Sequence, residues 1–332
     1  MRVFVTDGHY KHTLAVVRSL GFKEVEVDVG STTPYAVSFY SKYTRCRYLY
    51  PEPRRNPLRF FDFVDRLIKK QNYDILLPIG YNTTLATARF KERFHKRVAV
   101  PVADYKSLSI AADKVETLKL ASEIGIPVPK TIIYKNIDNV KEACKELEFP
   151  MVIKGALETG TTRYAMGLNE LMRKCRLLSN SSKRSLIIQE YIPGQGYGFF
   201  ALFNQQKLRA IFMHKRIREY PITGGASTSA ESIHDPKLKE LGVKLLKSLN
   251  WHGVAMVEFR KDFRDNKYKL MEINPKFWGS LDLAITSQVD FPYLACKMAL
   301  EGEVKPVFNY KIGVKFTWPF PCLLYTSDAA DE

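Results

Sequence analysis

Two short apolar runs in the C-terminal third, Val254-Ala-Met-Val-Glu258-Phe-Arg260 and Lys269-Leu-Met-Glu272-Ile-Asn274-Pro275, carry acidic and amide side chains where a buried strand normally carries none. Both read as strands, and Phe263–Lys267 between them reads as the turn of a hairpin. Side chains alternate across a strand, so Glu272 and Asn274 point the same way, about 6–7 Å apart. With that turn, Glu258 falls opposite Glu272. Two carboxylates facing each other among apolar residues repel, at a cost of roughly 0.2–1 kcal/mol and more when buried. A divalent cation removes the cost, and the all-oxygen set Glu258, Glu272 and Asn274 suits Mg²⁺ or Mn²⁺. The plainer alternative is a pair of edge-strand carboxylates salt-bridged to lysines.

Upstream, short apolar runs alternate with amphipathic stretches, which predicts an open parallel α/β sheet. Strands are expected at Val3–Val5, Val25–Val29, Ile75–Ile79 and Val98–Val100, and helices at His12–Leu20, ended by Gly21, and Phe60–Lys70. Ligands of such sheets sit beyond the carboxyl ends of the strands, so the loops at Thr6–Tyr10 and Gly80–Thr83 face a candidate site. Gly-x-Gly-x-x-Gly is absent from the first loop, which argues against a dinucleotide-binding dehydrogenase. Further helices are expected at Asp113–Gly125, Ile137–Leu147, Pro236–Leu249 and Phe291–Leu300, with strands at Thr131–Tyr134 and Pro150–Lys154. The whole reads as α/β (α+β).

A chain of 332 residues has room for two or three subdomains. No apolar run approaches the ~20 residues of a membrane helix, so membrane insertion is not expected and the cytoplasm is the expected compartment. The five cysteines (Cys46, Cys144, Cys175, Cys296, Cys322) have no metal-ligand spacing. Basic residues outnumber acidic ones, 51 to 35, which suits anionic partners or simply a solvated surface. No basic stripe studded with aromatics supports nucleic-acid recognition. The tail from Cys322 to Glu332 turns abruptly small and acidic, and reads as translated vector or adaptor sequence on a shortened gene.

Seven segments, in order and spacing, resemble the ATP-grasp superfamily: Asp113-Lys114, Ile126-Pro-Val-Pro129, Phe149-Pro-Met-Val-Ile-Lys154, Gln189-Glu-Tyr-Ile-Pro-Gly194, His214-Lys-Arg216 with Arg218-Glu-Tyr-Pro221, Thr223-Gly-Gly-Ala-Ser-Thr228 and Met271-Glu-Ile-Asn-Pro275. The resemblance runs from residue 1 to about residue 302. It is nearest to uncharacterised carboxylate–amine ligases related to the pyrrolysine-pathway ligase, with biotin carboxylase and carbamoyl-phosphate synthetase as wider relatives. It implies a pre-ATP-grasp domain over 1–103, a small ATP-grasp subdomain over 104–188 and a large one over 189–320, with 321–332 as the non-native tail.

By that resemblance Lys114 and Lys154 hold the ATP phosphates, as flexible point charges suited to the task. The loop from Gly155 to Arg163, with Gly160 and Thr161, stands where the family has its phosphate lid, although it is poor in glycine. Gln189, Glu190 and Ile192 take the place of the adenine hinge. Relatives carry an acidic ribose ligand seven positions after the hinge begins, where this chain has Gly196. Glu258, Glu272 and Asn274 become the metal ligands. Arg216 is the residue expected at the reacting centre, and if its segment is a regular strand, His214, Arg216 and Arg218 share one face. Lys276 replaces the usual arginine after Asn-Pro, keeping the charge and losing the bidentate fork.

The implied reaction is attack of a carboxylate on ATP, giving an acyl phosphate that an amine then displaces. Its partners are small-molecule carboxylates and amines, and a homodimer is a candidate assembly. The competing readings are a non-catalytic ATP-binding sensor and a bicarbonate-activating, carboxylase-type ligase.

Overall fold

The computed structural model describes residues 1–318 apart from 95–96, 137, 158–161, 182–185 and 221–225. The chain forms two compact units. One comprises Met1–Leu108, Gly198–Met256 and the chain from Pro275 onward, and the other Ser109–Tyr197 with Val257–Asn274.

The first unit opens with β1 (Arg2–Val5), α1 (Lys11–Phe22), β2 (Glu26–Ser31), β3 (Thr44–Leu49), α2 (Pro57–Gln71), β4 (Ile75–Leu77), α3 (Tyr81–Arg89) and α4 (Lys91–Phe94), and runs into α5 (Tyr105–Ala112). Its strands pair in parallel in the order β3-β2-β1-β4, as the sequence pattern predicts. Three local expectations need correction. Helix α1 passes through Gly21, whose lack of a side chain serves packing instead: a Cβ there would lie 2.3 Å from the Tyr43 ring. Tyr81 and Asn82 begin α3 rather than forming a loop. The Val98–Val100 strand shrinks to one bridge, Ala99 to Ile75, because Pro101 has no N–H with which to extend a ladder.

Since β1 lies between β2 and β4, the chain reverses direction across the sheet at β1. The loops after β1 and β4 flank that reversal. Asp7, buried and at φ 58°, ties them together. Its carboxylate accepts from the Gly80 N–H at 2.7 Å, from the Thr6 and Thr83 hydroxyls, and from the Tyr50 hydroxyl at 3.1 Å.

The second unit contains α6 (Lys114–Glu123), β5 (Thr131–Tyr134), α7 (Asp138–Glu146), β6 (Met151–Gly155), β7 (Thr162–Ala165), α8 (Leu168–Ser181) and β8 (Leu186–Glu190). These strands form an antiparallel sheet in the order β5-β8-β6-β7. Its apolar face, with Ile132, Met151, Ile153 and Ile188, packs with Val140 and Ala143 of α7 and Leu171 and Cys175 of α8. Asp113 caps α6, accepting from the Val115 N–H at 2.8 Å. This cap sets Lys114 at the first helical position.

Strand β9 (Gly194–Asn204) returns the chain to the first unit, followed by β10 (Lys207–Tyr220), β11 (Ala226–Ser232), α9 (Pro236–Ser248) and β12 (Gly253–Asp262). The far end of β12 and β13 (Tyr268–Asn274) make a hairpin in the second unit, with its turn at the predicted residues. The chain ends with α10 (Leu281–Thr286), α11 (Phe291–Glu301) and β14 (Lys315–Thr317) in the first unit. There β9, β10, β11 and β14 lie side by side in that order. Phe200, Phe212, Trp278 and Phe291 join Val3, Val5, Val27 and Ile75 in one core.

Candidate functional site

The hairpin of the second unit brings its three polar residues together. The Asn274 amide Nδ2 donates to Glu258 at 3.0 Å and to Glu272 at 3.1 Å. The other Glu272 oxygen takes the Lys114 ammonium at 2.8 Å. The lysine-paired alternative is therefore met for Glu272, but its lysine is the one that the family resemblance reserves for phosphate. Lys114 is held firmly: it is buried, and its own N–H donates to the Ala156 carbonyl at 2.7 Å. Burial works to raise the Glu272 pKa, but the charge and hydrogen bond of Lys114, with Lys154 and Asn274, outweigh it and hold the carboxyl well below its usual range.

Lys154, near the end of β6, sends its ammonium to Gln189 Oε1 at 2.8 Å, while the Gln189 Nε2 donates to the Thr131 hydroxyl at 2.9 Å. Gln189 is 1% exposed, so three neighbouring strands fix where that ammonium sits. Burial lowers the Lys154 pKa to about 8, Lys114 pushing the same way against the support of Glu272 and Glu258. The resemblance places Gln189 in the hinge segment and gives no role to its side chain. The sequence signal for it is a glutamine that directly follows the apolar run Leu186-Ile-Ile188.

Glu190 is engaged by its side chain, accepting from the Lys130 N–H at 3.1 Å and lying 3.6 Å from both Lys269 and Arg264. Both cations also grip Asp262, Lys269 at 3.0 Å and Arg264 at 2.6 Å. This network joins the hinge segment to the hairpin turn. Ile192 is buried, and the Pro193 carbonyl accepts from the Phe263 N–H at 2.8 Å. At Gly194 any side chain is barred, since a Cβ would lie 1.9 Å from the Lys261 carbonyl oxygen.

Arg216 and Lys276 belong to the first unit. Of the face expected to gather His214, Arg216 and Arg218, the regular spacing of His214 and Arg216 holds and Arg218 departs, because the β10–β11 register shifts on both sides of Arg218 and a bulge breaks the two-residue alternation. His214 is buried, its ring 4.8 Å from that of Phe200 and 3.4 Å from the Ser280 hydroxyl. Burial, then Arg216, lowers its pKa to about 3, so its ring is neutral. Arg216 meets Glu219 at 3.3 Å, Lys215 meets Glu231 at 3.1 Å, and Arg218 is exposed. Half-buried Lys276 acts electrostatically on His12, whose ring lies 5.0 Å from that of Tyr10 at the start of α1. Gly160 and Thr161 lie outside the described residues, as does the tail from 319.

The donor set fits a hard divalent cation. Glu258 and Glu272 both reach one amide nitrogen, and a half-turn of that amide presents Oδ1 in its place. Among the described residues no group of three or more His, Cys, Asp or Glu side chains could hold a metal. A cation here would thus draw two carboxylates and an amide from the protein and the rest of its shell from phosphate or water. Among the described residues, too, no helix is long and apolar enough to cross a membrane.

Residues 182–318 match the family model described as ATP-grasp in the biosynthetic pathway with Ter operon. The structure is similar to that of an L-amino acid ligase from Bacillus licheniformis, with a TM-score of 0.72 at 13% identity over 92% of this chain and 77% of that one. It is similar to the Staphylococcus aureus N5-carboxyaminoimidazole synthetase complexed with ADP, with a TM-score of 0.73 at 15% identity over 94% and 79%. Biotin carboxylase from Campylobacter jejuni gives a TM-score of 0.74 at 14% identity over 95% and 74%. With a parallel N-terminal sheet, an antiparallel lysine-bearing sheet and a carboxylate hairpin already in place, these likenesses identify the architecture of the chain as the ATP-grasp fold.

Proposed function

We propose that this protein is an ATP- and Mg²⁺-dependent ligase that activates a small-molecule carboxylate as an acyl phosphate and joins it to an amine. The observation that carries this reading is the meeting of Lys114 with Glu258, Glu272 and Asn274, beside Lys154, in one unit of an ATP-grasp fold. Glu258, Glu272 and Asn274 hold the metal, Mg²⁺ or Mn²⁺, which when bound neutralises phosphate charge. Lys114 and Lys154 bind the phosphate chain, with Gly160 and Thr161 covering it. Gln189, Glu190 and Ile192 frame the adenine, and the Gln189 side chain aims Lys154. Arg216 and Lys276 offset the charge developing on the acyl phosphate. Catalysis is then positioning and charge neutralisation, with no protein nucleophile.

The same reading divides the chain into a pre-ATP-grasp part over 1–103 and ATP-grasp parts over 104–188 and 189–320. A homodimer and a cytoplasmic setting are compatible with it. Ligation accords with the L-amino acid ligase among the similar structures, and carboxylation, the second reading, with the biotin carboxylase.

The test is ADP release from Mg-ATP with pooled small carboxylates and amines, and separately with bicarbonate, for wild type, Glu272→Gln and Arg216→Ala. Release stimulated by a carboxylate–amine pool and lost in Glu272→Gln is expected. Stimulation by bicarbonate alone would replace ligation with carboxylation. Mg-ATP binding without stimulation by any pool would favour a sensor.

A further inference from the structure

The Lys114–Glu272 pair joins two groups that are needed elsewhere. On the reading above, Lys114 is a phosphate ligand and Glu272 a metal ligand, and here each satisfies the other at 2.8 Å. The pair is not a loose surface contact, since the side chains are 8% and 24% exposed. Asn274 completes the arrangement by donating to both carboxylates, with its amide nitrogen standing between oxygens that a cation would share.

We infer that this pair couples the two ligands: Lys114 holds Glu272 until metal and nucleotide replace the bond together, so each ligand binds poorly alone. The physical argument runs from charge. Two ammonium groups, Lys114 and Lys154, act with two carboxylates, Glu258 and Glu272, in one largely half-buried cluster. A nucleotide arriving without metal brings anions to a lysine already neutralised, and claiming it leaves Glu272 charged beside phosphate. A metal arriving without nucleotide finds two carboxylates and an amide, and Glu272 among them is already bound to an ammonium. It must either displace Lys114 or sit beside it. Arriving together, the two ligands exchange one ion pair for two, and no charge is stranded. The coupling is reciprocal by linkage: whatever the metal adds to nucleotide affinity, the nucleotide adds to metal affinity.

Removing a metal ligand should then improve metal-free nucleotide binding, an outcome that a simple ligand role does not give. Glu258→Gln and Lys154→Met serve as matched comparisons. Each removes the same charge from the same cluster but leaves the Lys114–Glu272 bond in place.

The experiment uses the full chain and four variants, with folding checked by thermal melting. ATP in EDTA and Mg-ATP are titrated calorimetrically into wild type, Glu272→Gln and Glu258→Gln. Mn²⁺ alone is followed by its electron paramagnetic resonance signal with wild type, Lys114→Met and Lys154→Met. Glu272→Gln should bind metal-free ATP about tenfold tighter than wild type and clearly tighter than Glu258→Gln. Lys114→Met should bind Mn²⁺ alone several-fold tighter than wild type and tighter than Lys154→Met. If each variant of the pair behaves as its comparison does, only general charge is at work and the coupling is overturned. If one variant does not fold, the other still decides. Failure of wild type to bind Mg-ATP at all would instead overturn the ligase reading.

Discussion

Two carboxylate clusters in this molecule, one fully buried and one half-buried, are built on different principles. In the first unit Asp28 is fully buried and saturated. It takes Arg45 in a fork at 2.9 and 2.8 Å, Arg2 at 3.3 Å, the Tyr73 hydroxyl at 2.5 Å and the Cys46 N–H at 3.2 Å. In the second unit Glu258 and Glu272 share a single amide nitrogen, and Lys114 bonds to one of them. Asp28 has two guanidinium partners fixed around one charge, which suits a permanent joint between β2, β3 and the strand-leading Arg2. The glutamates face lysines on flexible stems, which can change partners when a ligand arrives.

The largest expected effect is on the saturated side. Asp28→Ala leaves the Tyr73 hydroxyl and the Arg45 guanidinium without their acceptor, and should cost about 3 kcal/mol of stability in denaturant titration. The pH dependence follows from the shift. Burial raises the Asp28 pKa, but the Arg45 and Tyr73 hydrogen bonds outweigh it and bring it below the ordinary carboxylate value. A carboxyl lowered on folding stabilises fully above its unfolded pKa, about 3.9. The contribution drains away as pH falls through the lower folded value. The gap between wild type and Asp28→Ala should therefore be full at pH 7 and narrow in acid. A constant gap would mean that packing, rather than the ionised carboxylate, holds the joint.

On the exchangeable side the expected effects fall on binding. With its pKa lowered to about 8 by burial, Lys154 loses its charge within an accessible range. Mg-ATP affinity should weaken about tenfold from pH 7 to pH 9, the loss expected for a group mostly deprotonated one unit above its pKa. Lys154→Arg should bind with a flat profile, since guanidinium keeps its charge throughout. A wild-type profile equally flat would show that Lys154 takes no part in phosphate binding.

How much of this contrast was readable beforehand depends on how local each feature is. The hairpin, its turn and the residue set Glu258, Glu272 and Asn274 were legible, because strand alternation and a five-residue turn are short-range properties. So was Lys114 at a helix start, since the helix expected over Asp113–Gly125 begins there. The bond from Lys114 to Glu272 was not, since it joins α6 to a strand far along the chain. Strand β3 was missed because its exposed positions are Arg45, Arg47 and Leu49, an edge pattern with no apolar face to read. The bulge at Arg216–Arg218 escaped for a similar reason: one inserted residue leaves composition unchanged and undoes the alternation. Asp28 sat correctly in a predicted strand, but that it lies buried under two arginines is a tertiary fact.

The smallest expected effect tests the contrast most directly. Glu258→Gln keeps an oxygen for the Asn274 amide, so the hydrogen bond at 3.0 Å has a neutral counterpart. The charge removed had two opposed roles: it repelled Glu272 across the shared amide and supported the charged form of Lys154. Losing both together should leave stability within about 1 kcal/mol of wild type, a shift of a few degrees in melting temperature for a chain of this size. The same substitution should abolish most of the gain that Mg²⁺ gives to ATP binding. Stability nearly untouched and metal response lost would mark the cluster as one kept for its ligands. If instead Glu258→Gln cost as much as Asp28→Ala, the two clusters would be alike, and the glutamates would be structural residues that merely resemble a metal site.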